Sequence, residues 1–173
     1  MITGHVKPSH GSIHFDGDDI TDLRPHQAFH LGVVRTFQIP RPFSGMTVLE
    51  NLTMVPGNQI GEKVWNNWLR SSTVEKEELR IQEKANELLE FLNLADLRNE
   101  FSGNLSGGQL KLLELGRALM SDPKLILLDE PAAGVNPTLL EEIIERIREI
   151  HRQGVTFLID RKSTRLNSSH ALI

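Results

Sequence analysis

Cysteine is absent from the 173 residues. That excludes a disulfide framework and any thiolate metal site. No apolar run approaches the ~20 residues needed to span a bilayer. No signal-peptide pattern opens the chain either, because Met1 to Gly4 leads into a turn, Lys7-Pro8-Ser9-His10-Gly11. Attachment to a membrane is therefore expected only through a partner. The formal net charge of −4 is too small to suggest a nucleic-acid partner. The histidines are scattered without paired carboxylates, so none is read as a metal ligand. What remains is an ordinary globular composition, long enough for one domain with its own core.

The pattern along the chain is that of an α/β protein. Gly11 to Ile20 reads as strand, turn, strand, with Asp16-Gly17 as the hairpin signal. Arg24 to Leu31 predicts a short helix. Gly32 to Gln38 predicts a strand running into a loop, which Pro40 and Pro42 keep irregular. Thr47 to Leu52 predicts a helical turn. From Val74 to Leu92 the period is helical, with Ile81, Ala85, Leu88 and Leu92 on one face. Lys124 to Asp129 is a continuous apolar run that suits a strand buried on both faces of a parallel sheet. Asn136 and Pro137 predict the cap and first residue of a helix whose stripe is Leu140, Ile143, Ile144 and Ile147, closed by Gly154. Val155 to Ile159 predicts a second buried strand. Strand, helix, strand is a βαβ unit.

Two motifs carry chemistry. Leu105-Ser106-Gly107-Gly108-Gln109 precedes a helical stretch from Leu110 to Met120. Glycines at a helix start let a ligand approach the backbone, and the unpaired N–H groups and helix dipole attract an anion such as phosphate. Alone, such a loop is more often a plain helix cap. Leu125 to Glu130 delivers two acids at the C-terminal end of an apolar strand, where α/β folds place ligands. Asp129 suits Mg2+, and Glu130 suits the polarisation of a water. Alone, acids at a strand end are more often solvated.

Together, LSGGQ, a helix and LILLDEP resemble the signature and Walker B motifs of ABC-type ATPases. Arg35-Thr36-Phe37-Gln38 resembles the family's Q-loop, and Ala133-Gly134-Val135-Asn136-Pro137 its D-loop. RTFQ, the Pro-rich stretch after it, MTVLENL and EPAAGVNP are similar to the ATPases of branched-chain amino-acid importers, the LivG type. The resemblance implies a P-loop NTPase core with an antiparallel β part and a helical subdomain at about 60–118. It implies ATP and Mg2+ as cofactors. Glu130 becomes the catalytic carboxylate. Gln38, Ser106, Gly107, Gly108, Gln109 and Asp129 become nucleotide-binding residues, with Asp129 and Gln38 on Mg2+. It implies a second ATPase subunit, transmembrane permease subunits, an indirect solute-binding partner, and a place on the cytoplasmic face of the membrane. Trp65 and Trp68 would lie in the helical subdomain, as core aromatics or as part of the permease contact.

The sequence also departs from the family. G-x-x-x-x-G-K-[ST], which cradles the β- and γ-phosphates, occurs nowhere in it. The opening Met1-Ile2-Thr3-Gly4 resembles the end of the helix that follows that loop, so these residues alone are expected to be inactive. After VTFLI the family continues with a glutamate and a switch histidine, whereas this chain reads DRKSTRLNSSH. That string resembles a translated sequencing-library adapter. Residues 1–159 are therefore expected to be a partial nucleotide-binding domain and 160–173 a non-native tail, with His170 no switch histidine. Rival readings remain within reach of the sequence. Lipopolysaccharide export or urea import would use the same architecture, and a degenerate module would bind a partner without catalysis. Translation-type members read EPTNHLD after Walker B, and chromosome-type members insert coiled coils for which the stretch between Gln38 and Leu105 is too short.

Overall fold

The hairpin signal at Asp16-Gly17 is realised by two left-handed residues, φ 54° and 91°, the backbone a two-residue hairpin turn demands. They join β1 (His14–Phe15) to β2 (Asp18–Asp19) in an antiparallel pair. This is a computed structural model. It describes residues 2–4, 6–36, 41–56, 71–131 and 134–160, with backbone alone at 71–73. Gln38, Trp65, Trp68, Ala133, the first part of the expected helical subdomain and the tail beyond Asp160 lie outside the described residues.

Helix α1 (Pro25–His30) starts at a proline, and the Gln27 side chain accepts from Arg24 N at 2.9 Å. Strand β3 (Val33–Arg35) follows. Helix α2 (Val48–Thr53) is capped reciprocally: Thr47 Oγ1 accepts from Glu50 N, and Glu50 Oε2 accepts from Thr47 N at 2.7 Å. The amphipathic helix expected from Val74 is α3 (Ser71–Phe91). Its buried line runs through Val74, Ala85 and Leu89, while Ile81 and Leu88 are partly covered at its flanks.

Helix α4 (Gly107–Met120), β4 (Leu125–Asp129), α5 (Pro137–Arg152) and β5 (Thr156–Asp160) complete the described chain. Asn136 Oδ1 accepts from Leu139 N at 2.9 Å, the N-cap the sequence predicts. In α5 the buried line is Ile143, Ile147 and Ile150, with Leu140 and Ile144 at its edge. The parallel sheet has the order β3-β4-β5, so β4, α5 and β5 form the expected βαβ unit.

The expectation of strands buried on both faces does not hold. In β4, Ile126 and Leu128 are buried, but Leu125 and Leu127 are only partly covered. Leu158 of β5 is 49% exposed. The physical reason is one-sided cover. Ile126 and Leu128 share a core with Leu112, Leu113 and Leu115 of α4 and Ile143 and Ile147 of α5, whereas among the described residues β5 is the sheet edge, with alternate side chains pointing away from that core. The strand also runs one residue beyond the predicted boundary, since Asp160 pairs with Asp129 in the ladder.

Candidate nucleotide site

The acid pair sits at the C-terminal end of β4, the central strand. Asp129 is the last ladder residue and Glu130 the first beyond it. Their backbones diverge sharply, because Glu130 takes φ 48°. That left-handed conformation is unfavourable for a residue with a Cβ, so neighbouring bonds must hold it. Glu130 N donates to Asp160 O at 3.3 Å. On the other side, Lys111 Nζ donates to Glu130 O at 3.2 Å and to Pro131 O at 2.9 Å. Lys111 is half-buried. Burial lowers its pKa, while the nearby Glu114 and Glu130 carboxylates oppose the shift.

Asp129 does not stand alone. Arg35, at the end of β3, donates to Asp129 Oδ2 at 2.9 Å, with the two side chains 44% and 28% exposed. An open cavity of about 360 Å³ lies over this strand end, lined by Arg35, Leu127, Asp129, Leu158 and Asp160 among others. Mg2+ prefers oxygen donors, keeps several waters, and commonly takes one or two carboxylates plus phosphate oxygens. Asp129 fits that chemistry as a hard donor at the cavity wall, with one oxygen already engaged by Arg35. Gln38, the other expected Mg2+ residue, lies outside the described residues. Just before it, Thr36 is buried and its N–H donates to Leu127 O at 3.0 Å, which anchors the strand end that leads toward Gln38.

The signature residues open α4. Ser106 is the N-cap, and its Oγ accepts from Gln109 N at 3.3 Å while Gln109 Oε1 accepts from Ser106 N at 2.9 Å. The plain-cap reading of Ser106 and Gln109 is thus realised in the structure. The Ser106 hydroxyl still keeps its own proton to donate. The N–H groups of Gly107 and Gly108 are the first-turn donors with no acceptor inside the helix. The two glycines serve differently. A Cβ on Gly107 would meet open space, as ligand approach requires. A Cβ on Gly108 would overlap Leu139 Cδ2 and sit 2.7 Å from its Cγ. Gly108 therefore allows the first turns of α4 and α5 to pack closely.

The structure brings Asp129 and Glu130 together directly and joins them to the signature helix through Lys111. Arg35 and Lys111 were not singled out from the sequence. The signal for Lys111 was legible in principle, as a basic residue two positions after Gln109 set among Leu110, Leu112 and Leu113.

Comparison with known proteins gives a consistent result. The family model described as ABC transporter matches residues 1–133. The probable branched-chain amino acid transport ATP-binding protein LivG of Archaeoglobus fulgidus is 49% identical over 161 residues, covering 91% of this chain and 60% of that protein. Its namesake in Methanocaldococcus jannaschii is 46% identical over 159 residues, covering 92% and 61%. The high-affinity branched-chain amino acid transport ATP-binding protein BraF of Pseudomonas aeruginosa is 34% identical over 178 residues, covering 99% and 69%. The chain thus spans about 60% of the length of the first two. The ADP conformation of an ATP-binding cassette of an ABC transporter superposes with a TM-score of 0.72 at 45% identity, covering 91% of this chain and 61% of that one.

Proposed function

The chain belongs to the ABC transporter family, and from that premise we propose that its residues serve in the ATP-hydrolysing subunit of an importer of branched-chain or related amino acids. The observation that carries the reading is the strand end. Asp129 is held in the ladder beside Arg35, and the next residue, Glu130, is turned out of the strand by its φ of 48°. Two acids in one dipeptide are thereby given different tasks. Asp129 faces the cavity as the cation-side carboxylate, and Glu130 serves as the base that polarises water.

Mg2+, when bound, would be held by Asp129 and Gln38 and would neutralise charge on the phosphates. Ser106 Oγ and the N–H groups of Gly107 and Gly108 would donate to phosphate oxygens of a nucleotide carried by a second ATPase subunit. Among the described residues no helix is long and apolar enough to cross a membrane. We place the subunit on the cytoplasmic face, attached through permease subunits, with the solute-binding protein acting indirectly. The names of the LivG and BraF relatives support the solute class.

The lysine-bearing phosphate loop is not among these 173 residues, so the test uses the full-length subunit. Glu130→Gln is expected to lower steady-state hydrolysis about a hundredfold or more, the scale of a lost general base. ATP binding and nucleotide-dependent dimerisation should survive. Near wild-type hydrolysis would show that another group polarises the water.

A further inference from the structure

Lys111 joins two parts of the molecule that carry different chemistry. It stands at the start of the second turn of α4, two residues after Gln109, and its ammonium reaches the turn that leaves β4. Two consecutive carbonyls, of Glu130 and Pro131, point at this one group. Neighbouring carbonyl dipoles aimed the same way repel, and a cation between them removes that repulsion. Proline has no N–H, so the carbonyl is the backbone group by which Pro131 can be tethered. The N-terminal side of the turn is fixed separately, by Glu130 N on Asp160 O. Loss of the ammonium would remove the tether on the carbonyl side of the left-handed Glu130.

Resting on the ATPase reading of Glu130, we propose that Lys111 is a positioning residue for the known family reaction. It holds the Glu130–Pro131 turn in register with the signature helix, so a displacement of Ser106–Gln109 is carried to Glu130. The helix is the rigid element. The capping box ties Ser106 to Gln109 in the first turn, and Lys111 opens the next turn of the same helix, so the two move as a body. The chain therefore contains a short mechanical path from the loop that would face one nucleotide to the acid that would face another.

The experiment compares Lys111→Met and Lys111→Arg in the full-length subunit. Methionine keeps the apolar stem and removes the donors, whereas arginine retains charge and several donors. Lys111→Met is expected to lower kcat about ten- to a hundredfold, the scale of a small misplacement of a reacting group. KM for ATP should stay within about twofold, since ground-state binding is untouched. Amide exchange at Asp129 and Glu130 should rise, with the urea midpoint unchanged. Lys111→Arg should recover most of the lost rate. Wild-type kcat together with unchanged exchange at Glu130 in Lys111→Met would overturn the proposal. So would a joint fall in kcat, urea midpoint and ATP affinity that arginine does not repair, because that marks a merely structural lysine. Glu130→Gln is the separate arm. If it still hydrolyses ATP, the reading of Glu130 fails, while the exchange measurement still decides whether Lys111 holds the turn.

Discussion

Asn51 Nδ2 lies 3.2 Å from Ser102 Oγ, and both side chains are fully buried. Each also engages Phe43. Ser102 Oγ donates to Phe43 O at 2.8 Å, and Asn51 Oδ1 accepts from Phe43 N at 2.9 Å. Asn51 Nδ2 reaches Thr47 O at 2.9 Å as well, and Ser102 N donates to Met46 O at 3.0 Å. The segment that follows the Gln38 stretch is thereby stitched to the segment that leads into Leu105-Ser106. One buried amide sets the approach of the signature loop.

Removing that amide should be costly. Asn51→Leu conserves volume but leaves Phe43 N without its Oδ1 acceptor and removes the amide donor to Thr47 O and Ser102 Oγ, while Ser102 still holds Phe43 O and Met46 O. A loss of about 1–3 kcal/mol is expected, the cost of an unsatisfied group in a largely buried network. Ser102→Ala should cost about 1–2 kcal/mol. The two groups share partners, so the double substitution should cost less than the sum. Urea unfolding of the full-length subunit measures all three, and strict additivity would mean the network is not one unit.

Legibility followed periodicity and local chemistry. The Asp16-Gly17 turn, the Asn136-Pro137 cap and the βαβ order were readable because each is decided by a few neighbouring residues. The acid pair was readable because an apolar strand must deliver it at its end. Asn51 was not, because nothing in LENL says which way an asparagine points or that Ser102 waits for it. Arg35 was placed in the RTFQ motif, but its bond to Asp129 depends on strands 94 residues apart pairing in parallel. The apolar runs of β4 and β5 misled for a related reason. Hydrophobicity states what a strand tolerates, whereas burial depends on what else covers the sheet.

That difference gives a direct contrast between residues of similar chemistry. Ile126 has no exposed surface and faces α4 and α5, so Ile126→Ala should cost about 2–5 kcal/mol. Leu158, 49% exposed on the edge strand, should cost well under half as much when replaced by Ala. Chemical denaturation of the two variants checks this. Equal losses would show that the Leu158 face is covered in the folded subunit.

The hairpin should respond to pH at both extremes. Asp16 pairs with Lys124 just before β4. The bond to Lys124 and its charge hold the Asp16 carboxyl below its ordinary value of 3.8, and the same pair holds Lys124 above its ordinary 10.5. The contribution of Asp16 is therefore present above pH 3.8 and lost as pH falls through its lowered pKa. That of Lys124 is complete below pH 10.5 and lost as pH rises through its raised pKa. Both side chains are exposed, so the effect is local anchoring of β1 and β2 and is weakened by salt. Amide chemical shifts of Asp16 and Gly17 should move in the acid window, and Asp16→Asn should remove most of that movement. An unchanged acid transition in Asp16→Asn would assign it to another carboxylate.

The two glycines of the signature should separate under the same substitution. In a helix, alanine is favoured over glycine by about 0.8–1.0 kcal/mol, and a Cβ at Gly107 meets nothing. Gly107→Ala should therefore leave the fold as stable as before or slightly more so, and any loss it causes in nucleotide-dependent dimerisation would be an effect on ligand approach. Gly108→Ala meets Leu139 within van der Waals radii. Leu139 is only partly buried and can change rotamer, so the cost should fall at about 1–3 kcal/mol, the range for an overpacked contact. The displaced side chain sits three residues after the α5 cap, Asn136. Truncating the obstacle should relieve the strain: Gly108→Ala with Leu139→Ala is expected to be more stable than the sum of the two single losses predicts. Thermal unfolding of the two single variants and the pair measures the coupling. A Gly108→Ala variant as stable as Gly107→Ala, with no coupling to position 139, would mean that α4 and α5 do not meet at this contact and that both glycines serve the ligand alone.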